Sequence, residues 1–485
     1  MNKSINVFID KYIKEINEDN AAVFLGAGFS KSSGFVDWKS LLKGVAEELE
    51  LNVDKESNLI SLAQYYCNKN RNRHEIDRLI FEEFNRDTDI SLNHRILARL
   101  PIFTYWTTNY DSLIEDALKD VKKNPDVKYN IKQLSFTKPK RDAIVYKMHG
   151  DKEHPSDTVI IKEDYELYFR KYAPFITALN GDLISKTFLF IGFSFTDPNL
   201  DYILSRIRVE YGSESQRTHY AIMKVVNIKD YNDSQADFEY DKRKQELFIE
   251  DLKRYNIQAL MIQDFSEITE ILSTIEKCIN QKNIFISGSA DTYGCWDDEE
   301  AKLFIHNLAK TLIRKDHNII SGFGLGVGSS VITGALEEIY IDDRSINNDR
   351  LILRPFPQGI INEETRVELW TKYRKDMISR AGTSIFIFGN KTGKDGTIIK
   401  ADGVMSEFEI AKEYGNLIVP VGCTGFIASD VWNEINNNFD SYYKNNSSLL
   451  KELFEKLNCR PTNISELIIT IYNFINEAKS CVLKQ

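Results

Sequence analysis

The chain has 485 residues, of which 42% are hydrophobic and 28% charged, a composition typical of a globular protein with room for two folded domains. Its net charge is −10 and it has no long run of Lys and Arg, which argues against the basic surface that nucleic-acid phosphates require. No apolar run approaches the roughly 18 to 20 residues of a membrane span. We therefore expect a cytoplasmic protein with neither nucleic-acid nor membrane partners.

The cysteines are scattered along the chain. None forms a C-x-x-C pair, and none has a histidine at the spacing of a metal site. The pattern predicts reduced structural thiols and no bound metal. The six cysteines are Cys67, Cys278, Cys295, Cys423, Cys459 and Cys481.

The first half of the chain alternates between helix-period and strand-like segments. Apolar residues from Ile5 to Ile16 recur at three- and four-residue steps, which predicts an amphipathic helix. A short apolar run at Ala21–Leu25 then opens into a glycine turn, the pattern of a strand that leads into a helix. Further strand-like runs are Ile102–Thr107, Ala143–Met148, Thr187–Phe193 and His219–Met223. The alternation predicts a parallel sheet covered by helices.

The alternation starts again after the helical stretch Ile268–Gln281. An apolar strand at Asn283–Ser287 is followed by a helix, and strand-like runs recur to residue 421. The sequence thus predicts an α/β protein with two Rossmann-like domains, each an open parallel sheet, at residues 1–282 and 283–485. The Asn-rich segment Asn436–Asn446 is predicted to be a polar loop. The later strand-like runs are Asn318–Ser321, Leu351–Arg354, Ser384–Phe388 and Leu417–Val421.

The glycine turn Gly26-Ala27-Gly28 follows the first strand. Glycine lets the backbone approach a pyrophosphate, and the N-terminus of the next helix offers unpaired N–H groups to the anion. A tight turn without a ligand would need glycine as well, so this motif alone is weak.

Polar residues follow three of the other strands. Asn109 and Asp111 stand where the carboxyl end of a parallel strand meets the ligand crevice, although Asp111 also fits an Asx turn or helix cap. His149 follows another strand, and its ordinary pKa suits a general base, although a structural histidine is the commoner reading. Gly192 and Ser194 end a further buried strand, at a place suited to nucleoside contact.

Together these motifs resemble the Sir2 family over roughly residues 10 to 280. The correspondence consists of G-A-G-x-S (with Ser30), T-x-N-x-D, H-G and G-x-S, in that order. The resemblance implies that Asn109 and Asp111 hold the nicotinamide ribose of NAD and that His149 acts as base. The zinc-binding cysteine pairs of sirtuin deacetylases are missing, which disfavours deacylation and leaves hydrolysis of the nicotinamide–ribose bond.

The second half carries two glycine-rich turns. Ser287-Gly288-Ser289 follows a strand, and the segment from Ser321 to Ser329 contains four alternating glycines, Gly324 and Gly326 among them. Such turns cradle phosphates. Arg374 and Lys391 can pair with phosphates and Glu407 can accept from ribose hydroxyls, although each is also compatible with a solvated charge.

This half resembles the SLOG superfamily of nucleotide-binding domains over about residues 283 to 430. A Sir2-like domain followed by a SLOG domain, with segments such as Tyr105–Asp111 and Phe190–Leu200, resembles the NAD-hydrolysing effectors of the bacterial Thoeris anti-phage defence system. The resemblance implies a homotetramer or larger assembly, and a separate TIR-domain enzyme that makes a cyclic ADP-ribose isomer.

In such effectors the isomer binds the SLOG domain at the arginine, lysine and glutamate that correspond to Arg374, Lys391 and Glu407. NAD is then depleted and the infected cell stops growing. Two alternatives stay open at this point. One is a zinc-free sirtuin deacylase or ADP-ribosyltransferase, and the other is a non-catalytic module that binds NAD and a nucleotide.

Overall fold

A computed structural model describes residues 3–56, 58–195, 197–211, 217–231, 234–341, 350–357, 362–444 and 446–483. Of the segment 190–200, only Thr196 therefore lies outside the described residues. Internal contacts divide the chain into two compact units, residues 1–276 and 277–485. The sequence predicted a domain boundary near residue 282. Each unit has its own sheet, and each is described by itself below.

The sheet of the first unit has seven strands, all parallel, in the order β3-β4-β2-β1-β5-β6-β7. Its central strand β1 is buried over all five residues, because helices cover both faces. The carboxyl ends of β2, β1 and β5 are neighbours, so the segments that follow them meet at one edge. The strands are β1 (Ala21–Leu25), β2 (Thr104–Thr107), β3 (Pro125–Lys128), β4 (Ala143–Lys147), β5 (Thr187–Ile191), β6 (His219–Lys224) and β7 (Ile257–Ile262).

The helices of the first unit begin with the predicted amphipathic one, whose apolar face is buried. The last of them, α14, contains the division between the units. The helices are α1 (Lys3–Asn17), α2 (Ala27–Ser30), α3 (Trp38–Leu41), α4 (Lys43–Glu48), α5 (Leu59–Asn70), α6 (His74–Phe84), α7 (Leu92–Arg99), α8 (Leu113–Asp120), α9 (Ile131–Leu134), α10 (Lys162–Lys171), α11 (Ala173–Ser185), α12 (Pro198–Tyr211), α13 (Gln235–Lys253) and α14 (Ser266–Asn280).

The second unit has a five-stranded parallel sheet in the order β10-β9-β8-β11-β14 and a separate antiparallel hairpin, β12–β13. This confirms the predicted α/β class with two open parallel sheets. The strands are β8 (Asn283–Ser289), β9 (Asn318–Ser321), β10 (Leu351–Leu353), β11 (Thr383–Phe388), β12 (Asn390–Thr392), β13 (Ile398–Lys400) and β14 (Leu417–Pro420). The helices are α15 (Asp298–Arg314), α16 (Gly328–Ile341), α17 (Glu363–Ile378), α18 (Asp402–Glu413), α19 (Phe426–Asn437), α20 (Phe439–Tyr442), α21 (Ser448–Lys456) and α22 (Ile464–Leu483).

One local prediction was wrong. Residues 436–446, expected to be a polar loop, include the end of α19 and the whole of α20. The reason is burial, since Phe439 and Tyr443 pack against Phe454 and anchor this segment to the core. Within the described part of the chain, no helix is both long enough and apolar enough to cross a membrane.

Candidate functional site

The glycine turn after β1 packs directly on the end of β5. The amides of Gly26 and Gly28 donate to the carbonyl oxygens of Ile191 and Gly192, both at 3.0 Å. A Cβ on Gly26 would lie 2.3 Å from the Gly192 oxygen, and a Cβ on Gly192 would lie 2.2 Å from the Phe29 nitrogen. Close backbone packing therefore explains why glycine stands at these positions. Two of the amides expected to face a pyrophosphate donate to carbonyl oxygens of the protein instead.

A hydrogen-bonded network joins this turn to the segment that follows β2. The Ser30 hydroxyl donates to Asp111 Oδ2 at 2.8 Å, and the Asn109 amide donates to the Ser30 hydroxyl at 3.0 Å and to the Gly26 carbonyl at 3.1 Å. Asp111 Oδ1 accepts from the Leu113 amide, so Asp111 also makes the Asx-type turn before α8. The structure thus brings the predicted Ser30, Asn109 and Asp111 together.

A cleft of about 320 Å³, including its part open to solvent, lies over this network. Within the described residues, the Asn109 Oδ1 atom is buried and has no hydrogen-bond partner. A buried acceptor of this kind is costly unless a water or ligand donates to it. The cleft is lined by Ala27, Ser30, Val36, Trp38, Phe84, Thr108, Asn109, Tyr110 and Asp111.

His149 is buried beside Asp197. Its Nε2 atom lies 3.1 Å from Asp197 Oδ2, an ion-pair distance, although the two groups are not aligned as a hydrogen bond. Asp197 caps the N-terminus of α12, because its Oδ1 atom accepts from the amides of Asn199 and Leu200. The Tyr165 hydroxyl donates to Asp197 Oδ2 at 3.4 Å. Burial alone would raise the pKa of Asp197, but His149 and the two amides hold it below its ordinary value.

His149 is not among the residues that line the cleft, but an aromatic residue that does line it is a neighbour of His149. The Trp38 ring, which lines the cleft, lies 6.5 Å from the His149 ring, measured between centroids. Ser194, by contrast, lies exposed beyond the end of β5. Four predicted positions, Ala27, Ser30, Asn109 and Asp111, therefore line one cleft, while His149 lies one ring away.

Sequence reasoning assigned no role to two charged residues near this edge, Asp197 and Lys147. Asp197 lies in the segment Phe190–Leu200, directly before a proline, a position that is also typical of a helix cap. Lys147 stands two residues before His149 and is fully buried, which a local pattern does not reveal because lysine is normally exposed.

In the second unit, the two glycine-rich turns pack against each other. A Cβ on Gly324 would lie 2.0 Å from the Gly288 oxygen, and a Cβ on Gly326, whose φ is +67°, would lie 1.9 Å from the Ala290 oxygen. A Cβ on Gly288 would lie 2.6 Å from the Ile387 oxygen. Close backbone packing therefore accounts for these glycines at the carboxyl ends of β8 and β9.

Beside these turns, a buried polar cluster links three predicted residues. The Ser287 hydroxyl donates to Glu407 Oε2 at 2.6 Å, and Arg374 Nε lies 3.5 Å from Glu407 Oε1. The Arg374 guanidinium lies over the Phe356 and Trp370 rings at 5.1 and 5.9 Å. Burial raises the pKa of Glu407, although Ser287 and Arg374 offset part of that effect.

The remaining predicted residues of the second unit lie around this cluster. Lys391, on β12, is partly exposed and pairs with Asp402 at the start of α18. The next residue, Gly403, contacts Arg374, since a Cβ there would lie 2.8 Å from a guanidinium nitrogen. The Ser289 hydroxyl donates to the Asn390 carbonyl at 2.9 Å, so the end of β8 is hydrogen-bonded to the hairpin.

Cys67, Cys295, Cys423 and Cys459 form no disulfide. Over the parts of the chain that the structure describes, no three His, Cys, Asp or Glu side chains cluster as metal ligands would.

Comparison with known proteins assigns both units. A SIR2-like domain family matches residues 104–252, and the Sir2- and TIR-associating SLOG family, STALD, matches residues 267–478. A protein of Bacillus cereus (strain MSX-D12) named NAD(+) hydrolase ThsA is 56% identical over 476 residues, 98% of each chain. Proteins of the same name from Cytobacillus dafuensis and Acinetobacter baumannii (strain 532279) are 47% and 45% identical, and each alignment covers 97% or 98% of both chains.

The chain belongs to this ThsA family. The Sir2-like and SLOG assignments made from the sequence motifs are thereby confirmed. The cleft at Asn109 belongs to the unit with the SIR2-like match, and the Arg374 cluster belongs to the unit with the SLOG match.

Proposed function

We propose that this protein hydrolyses NAD to nicotinamide and ADP-ribose in the first unit, and that a cyclic ADP-ribose isomer bound by the second unit activates it. The observation that carries the proposal is the cleft lined by Ser30, Asn109 and Asp111, where the buried Asn109 Oδ1 has no hydrogen-bond partner among the described residues. The family supports it, since its curated members are named NAD(+) hydrolases.

In this proposal Asn109 and Asp111 hold the nicotinamide ribose. Asn109 Oδ1 accepts from a ribose hydroxyl or from the attacking water, and its amide is fixed by Ser30 and Gly26. Fixing the acceptor in advance lowers the entropic cost of bringing water and C1′ together. Ala27 and the glycines Gly26, Gly28 and Gly192 shape the floor of the NAD site.

The bond between C1′ and the nicotinamide nitrogen breaks, and its electron pair neutralises the pyridinium. The water oxygen bonds to C1′ of an oxocarbenium-like transition state. The water's proton passes through a second water to His149, because His149 does not line the cleft. Asp197 stabilises the resulting imidazolium, since its carboxylate lies 3.1 Å from Nε2. This leaves Nδ1 as the nitrogen that accepts the proton.

In the second unit, Arg374 and Lys391 bind the phosphates of the isomer and Glu407 accepts from a ribose hydroxyl. Support comes from the Arg374 guanidinium, which two aromatic rings and Gly403 hold in one orientation. The turns with Ser287, Gly288, Ser289, Gly324 and Gly326 surround the phosphates. The isomer activates because it binds the active arrangement more tightly than the resting one.

The proposed biological setting is the one that the resemblance to Thoeris effectors implies. A TIR-domain enzyme that responds to phage infection supplies the isomer, and NAD depletion in the cytoplasm then halts the infected cell. The protein works as a homo-oligomer, a tetramer or larger. The reaction uses NAD as substrate and needs no metal.

The test is nicotinamide release from NAD by the purified chain, with and without a cyclic ADP-ribose isomer. We expect release that depends on the isomer, and a loss of about a hundredfold or more in Asn109→Ala, because the variant lacks the positioned acceptor. Asn130→Ala, which removes the cap of α9, is the matched control and should retain wild-type release. Release by Asn109→Ala at the wild-type rate would refute the assigned role.

A further inference from the structure

Lys147 is a fully buried lysine at the last position of β4. Its side chain has 0% exposure, and it stands two residues before His149. Four oxygen-bearing groups surround its ammonium group. It donates to the carbonyl oxygens of Tyr110 and Asp111 at 3.1 and 2.5 Å, and the carboxylates of Glu115 and Asp151 lie at ion-pair distances of 2.9 and 2.6 Å. The ammonium group thus contacts the backbone of the segment that follows β2.

Two of these acceptors belong to the segment that carries Asn109 and Asp111. A buried carbonyl without a partner is costly, and an ammonium group satisfies it with a charge-assisted bond. The Tyr110 carbonyl also accepts from the Lys152 amide at 3.1 Å, so Lys147 and that amide together fix the backbone on either side of the peptide bond between Tyr110 and Asp111. Four of the residues that line the cleft, from Thr108 to Asp111, belong to this same short stretch.

The two carboxylates extend the contact to the neighbouring elements. Glu115 is on α8, the helix that follows Asp111, and Asp151 follows His149, so one ammonium group links both segments of the site. Burial raises the pKa of Glu115, and Lys147 offsets part of that effect. Buried ion pairs contribute little net stability compared with apolar packing, so this arrangement is better explained by a need for defined geometry.

We propose that Lys147 is a positioning residue for NAD cleavage, which fixes the position of the segment 109–111 relative to His149. The proposal rests on the proposed function, because it concerns the geometry of the same site. Lys147 does not line the cleft and touches neither substrate nor water in this role. It acts through the backbone of Tyr110 and Asp111.

The experiment uses the double variant Lys147→Met/Glu115→Gln in the full chain. Met preserves the length of the side chain, and Gln avoids leaving a buried carboxylate without its cation. Asp151 keeps access to water, since its side chain is 12% exposed. The matched control is Lys128→Met/Asp126→Asn, which removes a different buried lysine–carboxylate pair, on β3 of the same sheet. The described contacts of this pair do not include the segment 109–111.

Two readouts separate positioning from general stability. Hydrogen exchange should accelerate in residues 108–113, where the amides of Asn109 and Leu113 donate to Thr107 Oγ1 and Asp111 Oδ1. Exchange in α11 should stay at the wild-type rate. Nicotinamide release should lose about a hundredfold in kcat, with a smaller change in KM, since a misplacement of about 1 Å has this effect on rate.

Unchanged exchange at 108–113, or kcat within threefold of wild type in the folded double variant, would overturn the proposal. An equal loss in the control would also overturn it, because any buried pair would then suffice. If the wild-type chain releases no nicotinamide with or without a cyclic ADP-ribose isomer, the proposed function fails. The exchange measurement then still decides whether Lys147 holds the segment.

Discussion

At the residue scale, Glu407 is a carboxyl group whose burial makes stability depend on pH. Its pKa is raised above the ordinary value of 4.5, chiefly by desolvation. A raised pKa in the folded state stabilises the fold fully below the unfolded pKa, and this contribution is lost as pH rises through the folded pKa. We expect Glu407→Gln, neutral throughout, to gain stability relative to wild type from pH 4.5 upward, by at most about 1.4 kcal/mol per pH unit.

Thermal or urea unfolding of the full chain at a series of pH values measures this difference. Glu409→Gln changes an exposed carboxylate on the same helix and serves as control, since its curve should run parallel to that of wild type. Parallel curves for wild type and Glu407→Gln would show instead that burial does not perturb this group.

The sequence predicted individual residues of the site with uneven success. Asn109 and Asp111 were placed together because both follow one strand, and Asp111 turned out to make both the Asx-type turn and the contact with Ser30. The partnership of His149 with Asp197 was not predicted, since it joins residues after two different strands. Such a contact depends on strand order, which local periodicity does not contain.

At the scale of elements, the contact between the turn after β1 and the end of β5 depends on Gly192. Its φ is +66°, and a Cβ would lie 2.2 Å from the Phe29 nitrogen. We expect Gly192→Ala to lose at least about 2 kcal/mol of stability from left-handed strain and the backbone clash. It should also lower nicotinamide release, because the turn that carries Ser30 must shift.

Chemical denaturation together with the release assay tests this prediction. Gly181→Ala is the control: it lies within α11, a Cβ there meets no atom within 4 Å, and alanine favours a helix. It should gain about 0.5–1 kcal/mol. Equal effects of the two substitutions would contradict the packing argument.

Most strands with a strong apolar pattern were predicted, but β7, with the sequence I-Q-A-L-M-I, was not. The fully buried strands β1, β5 and β11 show in the sequence as continuous apolar runs. The strand β3 has the sequence P-D-V-K and the hairpin β12–β13 is polar, so neither was predicted. The strand β3 exists because β4 supplies its hydrogen bonds, which is tertiary information, whereas the two polar strands of the hairpin pair with each other.

At the scale of the whole molecule, the proposed function requires coupling between the signal site and NAD cleavage. We expect Arg374→Ala to raise the concentration of cyclic ADP-ribose isomer needed for half-maximal nicotinamide release roughly tenfold or more, because a charge-assisted contact to phosphate is lost. Basal release without the isomer should be unchanged.

Titration of the isomer against release rate measures this coupling. Arg314→Ala is the control. It removes an arginine of α15 that pairs with Glu338 of α16 in the same unit, and the variant should respond to the isomer like wild type. If Arg374→Ala were activated at the wild-type isomer concentration, Arg374 would have no part in the signal site.

The sequence by itself determined the class of the fold, the presence of two α/β units and the family, because apolar periodicity and short motifs are local properties. It also indicated Ser30, Asn109, Asp111 and His149. Only the tertiary structure decided that Ser30, Asn109 and Asp111 share one cleft, that Asp197 lies beside His149, and that Lys147 contacts the backbone of Asp111. Those contacts join residues far apart in the chain, and strand order and burial bring them together.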